Sequence, residues 1–336
     1  MQKSETKNNK YLLIRYLTNN NTEAENESIR NLVDRIKYHK ISQPVISVSY
    51  TTTSIIAGAE DTFNAVCEHI KERNMNARIV RTGSLGLVNA EPLVKIQLPG
   101  KSRLTFNKVL PEKVSDILDA VFNNFIPYEH LLGQEANALH EPWENIDFIN
   151  ELPFFTNQKR RILKNCGMID PESIEEYIVH SGYKHYLNAI RYHTPEEICD
   201  LIEDSGLRGR GGEGYPAAKK WKNTLFTSAE KKYLVCNASE SDPGAFMERM
   251  IMESDPHSLI EAAAIAAYAV GAQKAFIYLE SEYNLACRRL QQAIDQARSY
   301  GLLGDDIYSS GFNLNMLIHQ GPGAYVCGEE TALIAS

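Results

Sequence analysis

The sequence has no excess of basic residues. Lys and Arg together number 35 against 43 Asp and Glu, which gives a formal net charge of -8. A nucleic-acid-binding surface needs Lys and Arg to neutralise phosphates, so this balance argues against nucleic acid as the main partner. The lysine pairs Lys219-Lys220 and Lys231-Lys232 are interpreted as solvated surface.

The sequence also lacks any C-x-x-C pair, so it contains no cysteine motif for a metal or a redox disulfide. Scattered single cysteines in a chain of this size are typical of small buried side chains in a reducing compartment. The six cysteines are Cys67, Cys166, Cys199, Cys236, Cys287 and Cys327.

Long apolar runs are absent as well. The first ten residues, MQKSETKNNK, lack the apolar core of a signal peptide. The most apolar stretch, Leu259 to Ala272, contains Glu261 and is too short to cross a bilayer. We therefore expect a soluble, cytoplasmic protein without a membrane span.

The N-terminal half changes its pattern at Pro44. Residues 1–43 are expected to form an N-terminal extension with one amphipathic helix, from Glu23 to Lys40. The first twenty or so residues are polar and Asn-rich and are expected to be loose. Residues 44–130 then predict the order β-α-β-β-β-α, a small α/β domain of thioredoxin-like size. Its segments are PVISVSY, the helix Gly58 to Asn74, ARIVRTG, LVKIQLP, LTFNKV and PEKVSDILDAVFNNF.

Residues 131–155 have no regular period and are predicted to be a linker. Beyond them, residues 156–336 begin with helices and continue with alternating strands and helices. That alternation predicts a mainly parallel sheet covered on both faces. The predicted helices are Asn157–Lys164, Pro171–His180, Pro195–Glu203, Pro256–Val270 and Tyr283–Tyr300, and the strands are KKYLVCNA, KAFIYLE and FNLNMLIHQ.

The segment GLRGRGGEGYP contains a formal G-x-G-x-x-G at Gly209, Gly211 and Gly214. The dinucleotide fingerprint must follow a strand, whereas this segment follows a predicted helix, so that interpretation fails. Dense glycine still lets the backbone approach a flat or charged ligand closely. Pro216 then starts a helix whose N-terminus favours a phosphate, with Lys220 about one turn in. The alternative is a flexible turn.

Two further polar segments follow predicted strands, where ligands bind in open α/β sheets. NASESDPG, from Asn237 to Gly244, offers amide, hydroxyl and carboxylate groups, although a polar turn is the alternative. GPGAYVCGEETAL, from Gly321 to Leu333, offers Tyr325 for stacking, although simple helix capping is the alternative. Three such segments in one domain predict a sizeable cofactor.

Together these segments resemble a flavoprotein family that includes the 51-kDa-type subunit of complex I and the diaphorase subunits of NAD-linked hydrogenases and formate dehydrogenases. The resemblance covers Pro153 to Ser336 and rests on PFFTNQKRRILKNCGMIDPESIEEYI, LRGRGGEGYP, YLVCNASESDPGAF, IMESDPHSLIEA and GPGAYVCGEETALI, in that order. It implies a thioredoxin-like N-terminal domain followed by a mainly parallel α/β domain that binds FMN and NADH.

The resemblance implies that hydride passes from NADH to FMN, with no catalytic acid or base from the protein, and that single electrons continue to iron–sulphur clusters. The implied FMN-binding residues are Gly209, Arg210, Gly211, Gly212, Lys220, Asn237, Ser239, Glu240, Ser241, Tyr325, Gly328, Glu329 and Glu330. The implied NADH-binding residues are Glu213, Tyr215, Asp242 and Glu330.

The chain departs from the family pattern within these motifs. Glu213 stands where a small residue is usual, Ser239 where Asp is common, and Asp242 where Glu is usual. A carboxylate at Glu213 would crowd the nucleotide or repel its phosphates. The alternative function is therefore a degenerate subunit of the same fold that no longer uses NAD and serves in structure or electron relay.

The resemblance also raises the question of iron–sulphur clusters. In hydrogenase-type relatives four cysteines in the N-terminal domain hold a [2Fe-2S] cluster, but here the expected positions fall near Ser54, at Ser84 and at Val88. Thiolates hold such clusters, so we expect none in this domain. Relatives continue beyond GEETALI with a ubiquitin-like domain and a helical bundle with a [4Fe-4S] cluster, so we expect a C-terminally truncated chain. The implied partners are iron–sulphur subunits, one of them a two-iron thioredoxin-like protein and one a large subunit.

Overall fold

The computed structural model describes residues 2–18, 22–242 and 244–336. These form two compact units. Unit 1 comprises the described residues of Met1–Asn26, Tyr177–Met252 and Pro256–Ser336, and unit 2 comprises Glu27–Glu176 with Glu253–Asp255. The domain boundaries expected from the sequence remain a prediction.

The helices of the described residues are α1 Gln2–Thr18, α2 Glu23–Ile36, α3 Thr52–Ile56, α4 Ala59–Glu72, α5 Pro111–Phe122, α6 Pro153–Thr156, α7 Ile174–Val179, α8 Lys184–Tyr192, α9 Pro195–Asp204, α10 Ala217–Phe226, α11 Met247–Ser254, α12 Pro256–Val270, α13 Asn284–Ser299 and α14 Glu330–Ala335. The strands are β1 Val45–Ser49, β2 Arg78–Thr82, β3 Val94–Gln97, β4 Leu104–Phe106, β5 Leu131–Gln134, β6 Tyr233–Ala238, β7 Lys274–Glu280 and β8 Asn315–Gly321. None of the helices within the described ranges is both long and apolar enough to cross a membrane.

Unit 2 is built on a five-stranded sheet in the order β2-β1-β3-β4-β5. Strand β1 runs parallel to β2, and the remaining pairs are antiparallel. Val66 of α4 and Ile117 of α5 are buried in one core with Ile46 and Val48 of β1, as the apolar spacing of both helices requires. The first four strands and these helices have the thioredoxin-like order, which confirms the predicted fold of this part.

The fifth strand of this sheet lies in the segment that was expected to be an irregular linker. Gly133 of β5 pairs with Thr105 of β4, across a register shift. The buried Gln134 amide donates to the carbonyl oxygens of Trp143 and Ile146, at 2.9 and 2.7 Å. Hydrogen bonds to residues later in the chain hold this short edge strand in place, and they leave no periodic pattern in its sequence.

Two expectations about helices were wrong. The N-terminal residues were expected to be loose, but α1 spans Gln2–Thr18 and buries Leu12, Leu13 and Leu17. The expected helix over Asn157–Lys164 is absent from the structure, which has turns there. The Arg160 guanidinium donates to the carbonyl oxygens of Leu85 (2.9 Å) and Leu163 (3.1 Å), so a long side chain fixes this segment without a helix.

Unit 1 contains the sheet β6-β7-β8, in which all strands are parallel. This confirms the predicted parallel α/β fold. The Ala-rich helix α12 buries Ala263, Ala264 and Ala267, whose small side chains allow close contact with its neighbours. The sheet is not covered on both faces as expected, because Tyr233 and Val235 of the edge strand β6 are exposed.

Candidate functional site

The three parallel strands of unit 1 end at one edge of their sheet. Their last residues are Ala238 in β6, Glu280 in β7 and Gly321 in β8, and the first and last of these strands pair through β7. Parallel strands place all their carboxyl ends together, where open α/β sheets bind ligands. The polar segments after β6 and β8 therefore meet at this edge, which we call the carboxyl edge.

Hydrogen bonds join the two segments at the carboxyl edge. The Asn237 side-chain amide donates to the carbonyl oxygen of Gly328 at 3.1 Å. Directly after β7, the Ser281 N–H donates to the carbonyl oxygen of Gly321, the last residue of β8, at 3.2 Å. Asn237 and Gly328, both predicted as cofactor-binding, are thus brought into direct contact although 91 positions separate them.

Glu280 is a residue of this edge that the sequence interpretation missed. Its side chain is buried, and its carboxylate accepts hydrogen bonds from the hydroxyl groups of Ser239, at 3.3 Å, and Ser241. The sequence did contain a signal for this residue. Glu280 is the acidic residue that ends the apolar strand KAFIYLE, and ligands bind at the carboxyl ends of such strands. The carboxylate fixes the positions of two predicted site residues.

Glu240, between these serines, contacts the start of α11. The residue is 6% exposed, and its carboxylate accepts hydrogen bonds from the N–H groups of Met247 (2.6 Å), Glu248 (3.2 Å) and Arg249 (2.9 Å) at the start of α11. A carboxylate there also interacts favourably with the helix dipole. The pKa of Glu248 is raised to about 7, because its carboxyl group hydrogen-bonds to Glu240 and is partly removed from water. The structure therefore gives Glu240 a capping contact, while its predicted cofactor contact remains a prediction.

Asp242 closes a turn in the same segment. Its carboxylate accepts a hydrogen bond from the N–H of Gly244 at 2.9 Å, as Asx turns do. Glu329, in the segment after β8, caps α14 by accepting from the N–H groups of Thr331 (3.0 Å) and Ala332 (3.1 Å). These bonds hold the pKa of Glu329 below its usual value. Glu329 therefore caps a helix, as the alternative interpretation of GPGAYVCGEETAL had it.

The glycine-rich segment forms a loop that is closed by its own groups. The Gly209 N–H donates to the carbonyl oxygen of Tyr215 at 2.8 Å, and the Arg208 guanidinium donates to that of Gly214 at 2.9 Å. The positive φ of Gly212 (111°) and Gly214 (62°) is strained for other residues. The segment is thus a shaped loop, which we call the glycine loop, and not a strand-to-helix turn.

Gly211 and Gly328 are glycines that their own surroundings do not require. Neither has a positive φ, and a Cβ added at either would meet no atom within 4 Å. Since neither backbone conformation nor packing selects glycine there, the open space suits a ligand that approaches the backbone closely.

An ion pair connects the glycine loop's helix with the carboxyl edge. The Lys220 ammonium of α10 lies 2.6 Å from the Glu330 carboxylate of α14, with side chains 65% and 70% exposed. An exposed pair contributes little stability. The ion pair nevertheless shows that α10, the helix after the glycine loop, lies beside the segment that follows β8.

Two aromatic rings at the site are free to stack. Tyr325 is 82% exposed and Tyr215 is 42% exposed. The Lys219 ammonium lies 5.8 Å from the centroid of the Tyr215 ring, at the range of a weak cation–π contact. The site of unit 1 therefore combines open glycines, polar groups and exposed rings, which fit a flat ligand carrying hydroxyls and phosphates.

The residues at the expected [2Fe-2S] positions lie in unit 2. The Ser54 hydroxyl lies 2.8 Å from that of Thr51, and the Ser84 hydroxyl donates to the Glu91 carboxylate at 2.8 Å. Val88 begins a 3-10 turn and is exposed. Both serines are buried in hydrogen-bonded positions.

Comparison with known proteins shows which proteins the C-terminal part of this chain resembles. Residues 202–336 match the family model described as the Nuo51 FMN-binding domain. The chain is 52% identical over 179 residues to the NADP-reducing hydrogenase subunit HndC of Solidesulfovibrio fructosivorans, covering 53% of this chain and 36% of that protein. It is 46% identical over 175 residues to the F subunit of the NADH-quinone oxidoreductase of Aquifex aeolicus, covering 52% and 41%.

The F subunit of the Escherichia coli NADH-quinone oxidoreductase is 41% identical over 169 residues, covering 49% of this chain and 38% of that protein. The chain thus spans about two fifths of the length of these curated relatives. Among solved structures, an NAD+-reducing [NiFe]-hydrogenase in the air-oxidised state is 21% identical, with a TM-score of 0.42, covering 96% of this chain and 53% of that one.

Proposed function

We propose, on the premise that residues 202–336 belong to the Nuo51 FMN-binding domain family, that this protein binds FMN and oxidises NADH as a subunit of a larger oxidoreductase. The observation that carries the proposal is the meeting of three separate segments at one edge of unit 1. The contacts Asn237–Gly328 and Lys220–Glu330 join them.

The residues at this edge fit FMN. Open space at Gly211 and Gly328 accepts a flat ring system or a phosphate against the backbone, and Lys220 supplies a positive charge near the start of α10. The residues that would hold FMN are Gly209, Arg210, Gly211, Gly212, Lys220, Asn237, Ser239, Glu240, Ser241, Tyr325, Gly328, Glu329 and Glu330.

NADH would bind next to the flavin. The Tyr215 ring is exposed for stacking on adenine, and Glu213, Asp242 and Glu330 offer carboxylates for the nucleotide's hydroxyl groups. When bound, FMN supplies the hydride acceptor and releases electrons singly. The chain's own residues bind and orient the two molecules, since hydride transfer needs close alignment and no acid or base from the protein.

The electrons would leave to iron–sulphur clusters held outside these 336 residues, including a [4Fe-4S] cluster and those of partner subunits. Two observations support this part of the proposal. The curated relatives are named as subunits, and the matched segment of this chain covers only 36% and 41% of their length. Buried serines, Ser54 and Ser84, stand at two expected [2Fe-2S] positions of unit 2, and hydroxyl groups are poor ligands for such a cluster.

An anaerobic visible spectrum of the purified protein, before and after NADH, tests the proposal. Oxidised-flavin bands that bleach on mixing are the expected result. Absent flavin bands after incubation with FMN would overturn the assignment. Bands that persist with NADH but bleach with dithionite would support the alternative, a subunit that keeps the flavin without using NAD, for which the unusual Glu213 is the motivating residue.

A pair of variants tests whether FMN occupies the space at the glycine loop. In Gly211→Val the added Cβ meets no protein atom within 4 Å, so the fold should persist while FMN binding is lost. Ala229→Val adds similar bulk to an exposed position before the amino end of β6 and should retain FMN. Equal flavin content in both purified variants would contradict the proposed position.

A further inference from the structure

Tyr278 is a buried aromatic residue of unit 1 that lies near the carboxyl edge. It belongs to β7, the middle strand of the sheet, which ends at Glu280. The residue is 3% exposed. The register of the sheet pairs it with Asn237 of β6 and with His319 of β8, and its ring stacks on the His319 ring with centroids 5.5 Å apart. The strands on both sides of β7 therefore hold Tyr278 in place.

The segment that follows β8 packs on this ring. Of residues 322–336, all of which the structure describes, the two that are buried are Cys327 and Leu333. Both belong to one apolar cluster with Tyr278, and the hydroxyl groups of Tyr278 and Ser336 lie 2.8 Å apart. The remaining residues of this segment are exposed or half-buried. Tyr278 is thus the apolar anchor of a segment that otherwise lies largely in water.

Gly321, the last residue of β8, gives the ring its space. A Cβ at this position would lie 2.0 Å from the Tyr278 hydroxyl oxygen, 2.2 Å from Cζ and 2.7 Å from Cε1 of the same ring. Gly321 has no positive φ, so its backbone conformation does not call for glycine. The Tyr278 ring therefore explains the glycine, and it contacts the segment at its beginning as well as at Cys327 and Leu333.

The anchored segment carries residues that the proposed function assigns to FMN. Cys327 lies inside the 3-10 turn Tyr325–Gly328. Next to it in sequence are Val326 and Gly328, and Gly328 has open space where a Cβ would be. Because the one buried side chain of this turn packs on Tyr278, the ring decides where the turn lies above the sheet. A displacement of about 1 Å in groups that orient a ligand can weaken function about 100-fold.

We infer that Tyr278 is a positioning residue, which holds the turn Tyr325–Gly328 in place for FMN. This inference rests on the proposed function, and it assigns Tyr278 no contact with the flavin, since the residue acts through Cys327 and Leu333. The aromatic ring carries the role, because the packing contacts are apolar. The hydroxyl group has its hydrogen-bond partner at the exposed Ser336.

The first test measures the FMN affinity of the full-length apoprotein by flavin-fluorescence titration. Tyr278→Ala should raise the Kd at least about tenfold, because the turn loses its anchor, whereas Tyr278→Phe keeps the ring and should stay within about twofold. Leu290→Ala is the matched control, since Leu290 is fully buried in α13, outside the glycine loop and the segments after β6 and β8. It should lower the Tm, as Tyr278→Ala does, and leave the Kd unchanged.

Gly321→Ala tests the contact between Gly321 and Tyr278 directly. In the wild type the new Cβ would displace the ring, so the Kd should again rise about tenfold. In the Tyr278→Ala background the three nearest ring atoms are gone, and the same change should alter the Kd by less than about twofold. Such non-additivity is expected only if the two residues act through one contact.

Hydrogen exchange followed by mass spectrometry reports on the segment without FMN. In the apoprotein, the amides of residues 322–336 should exchange faster in Tyr278→Ala than in the wild type. Leu290→Ala should leave the relative rate of this segment unchanged, because its effect is on the whole of unit 1.

Three results would overturn the inference while the proposed function stands. They are an unchanged FMN Kd in Tyr278→Ala, an equal loss of affinity in Leu290→Ala, and effects of Gly321→Ala and Tyr278→Ala that simply multiply. A wild-type protein that binds no FMN would overturn the proposed function and the positioning role together. Faster exchange in Tyr278→Ala would then identify the ring as an anchor of the fold alone.

Discussion

The Lys220 ammonium and the Glu330 carboxylate lie 2.6 Å apart and join α10 to α14. Because both side chains are mostly exposed, the pair itself should stabilise the fold by less than about 1 kcal/mol. Its importance lies in the position of a cation beside a predicted phosphate site.

Replacing Lys220 should therefore affect FMN more than folding. For Lys220→Gln we expect FMN affinity to fall about tenfold, because one charge-assisted hydrogen bond is lost. Flavin-fluorescence titration measures the affinity, and thermal denaturation should show nearly unchanged Tm. Lys231→Gln, at an exposed position before β6, is the control. A large fall in Tm with unchanged FMN affinity would assign Lys220 to the fold instead.

His257 should make the stability of unit 1 depend on pH. The side chain is fully buried, with Nδ1 at 2.8 Å from the Tyr183 hydroxyl and Nε2 at 3.0 Å from the Gln296 side-chain oxygen. Burial lowers its pKa to about 4 from an ordinary value of 6.5. The unfolded chain thus binds a proton that the folded chain excludes, and stability should fall as pH decreases from 6.5 towards 4.

The loss should approach about 3 kcal/mol at the acidic end. Urea unfolding followed by Trp221 fluorescence, in a Trp143→Phe background, reports on unit 1. His257→Gln should flatten the dependence over this range. A slope that is the same with and without His257 would assign the acid sensitivity to other groups.

Glu261 should be a strong determinant of stability in the same region. Its buried carboxylate accepts hydrogen bonds from the Tyr177 hydroxyl and from the N–H groups of Tyr183 (2.8 Å) and Tyr186 (3.2 Å). In Glu261→Gln the amide cannot accept all of these bonds, so we expect a loss of about 2–3 kcal/mol. Denaturant unfolding measures it against Glu230→Gln, and a change below about 0.5 kcal/mol would contradict the assigned role.

Reconstitution with iron and sulphide should yield no [2Fe-2S] cluster in unit 2. The expected ligand positions hold Ser54, Ser84 and Val88, which lack the thiolates that such clusters need. Electron paramagnetic resonance after dithionite reduction tests this expectation. A two-iron signal that survives replacement of Cys67 and Cys166 by alanine would show that other groups hold a cluster.

The fold was predictable where short-range signals are strong. Helix α12 begins at Pro256 and ends before Gly271. Proline favours the first position of a helix and glycine the position just after its end, so both bounds could be predicted. The meeting of the segments after β6 and β8 followed from strand direction alone, because parallel strands end together.

Prediction failed where distant contacts decide the structure. The sequence did not show that the Glu240 carboxylate caps α11, where it accepts a hydrogen bond from the Met247 N–H, while the neighbouring serines donate to Glu280. No local pattern distinguishes an acid that caps a helix from one that faces a ligand. Similarly, the helix α1 depends on burying Leu12 and Leu13 against residues far along the chain.

Both units are interrupted in sequence, and synthesis proceeds from the N-terminus. Unit 2 lacks its Glu253–Asp255 segment until residue 255 has been added, and the apolar side of α1 waits for the later stretches of unit 1. Contacts between distant positions form slowly because loop closure costs entropy. The nascent chain therefore emerges with apolar surface that has no native cover, and such surface favours aggregation until the later residues have been added.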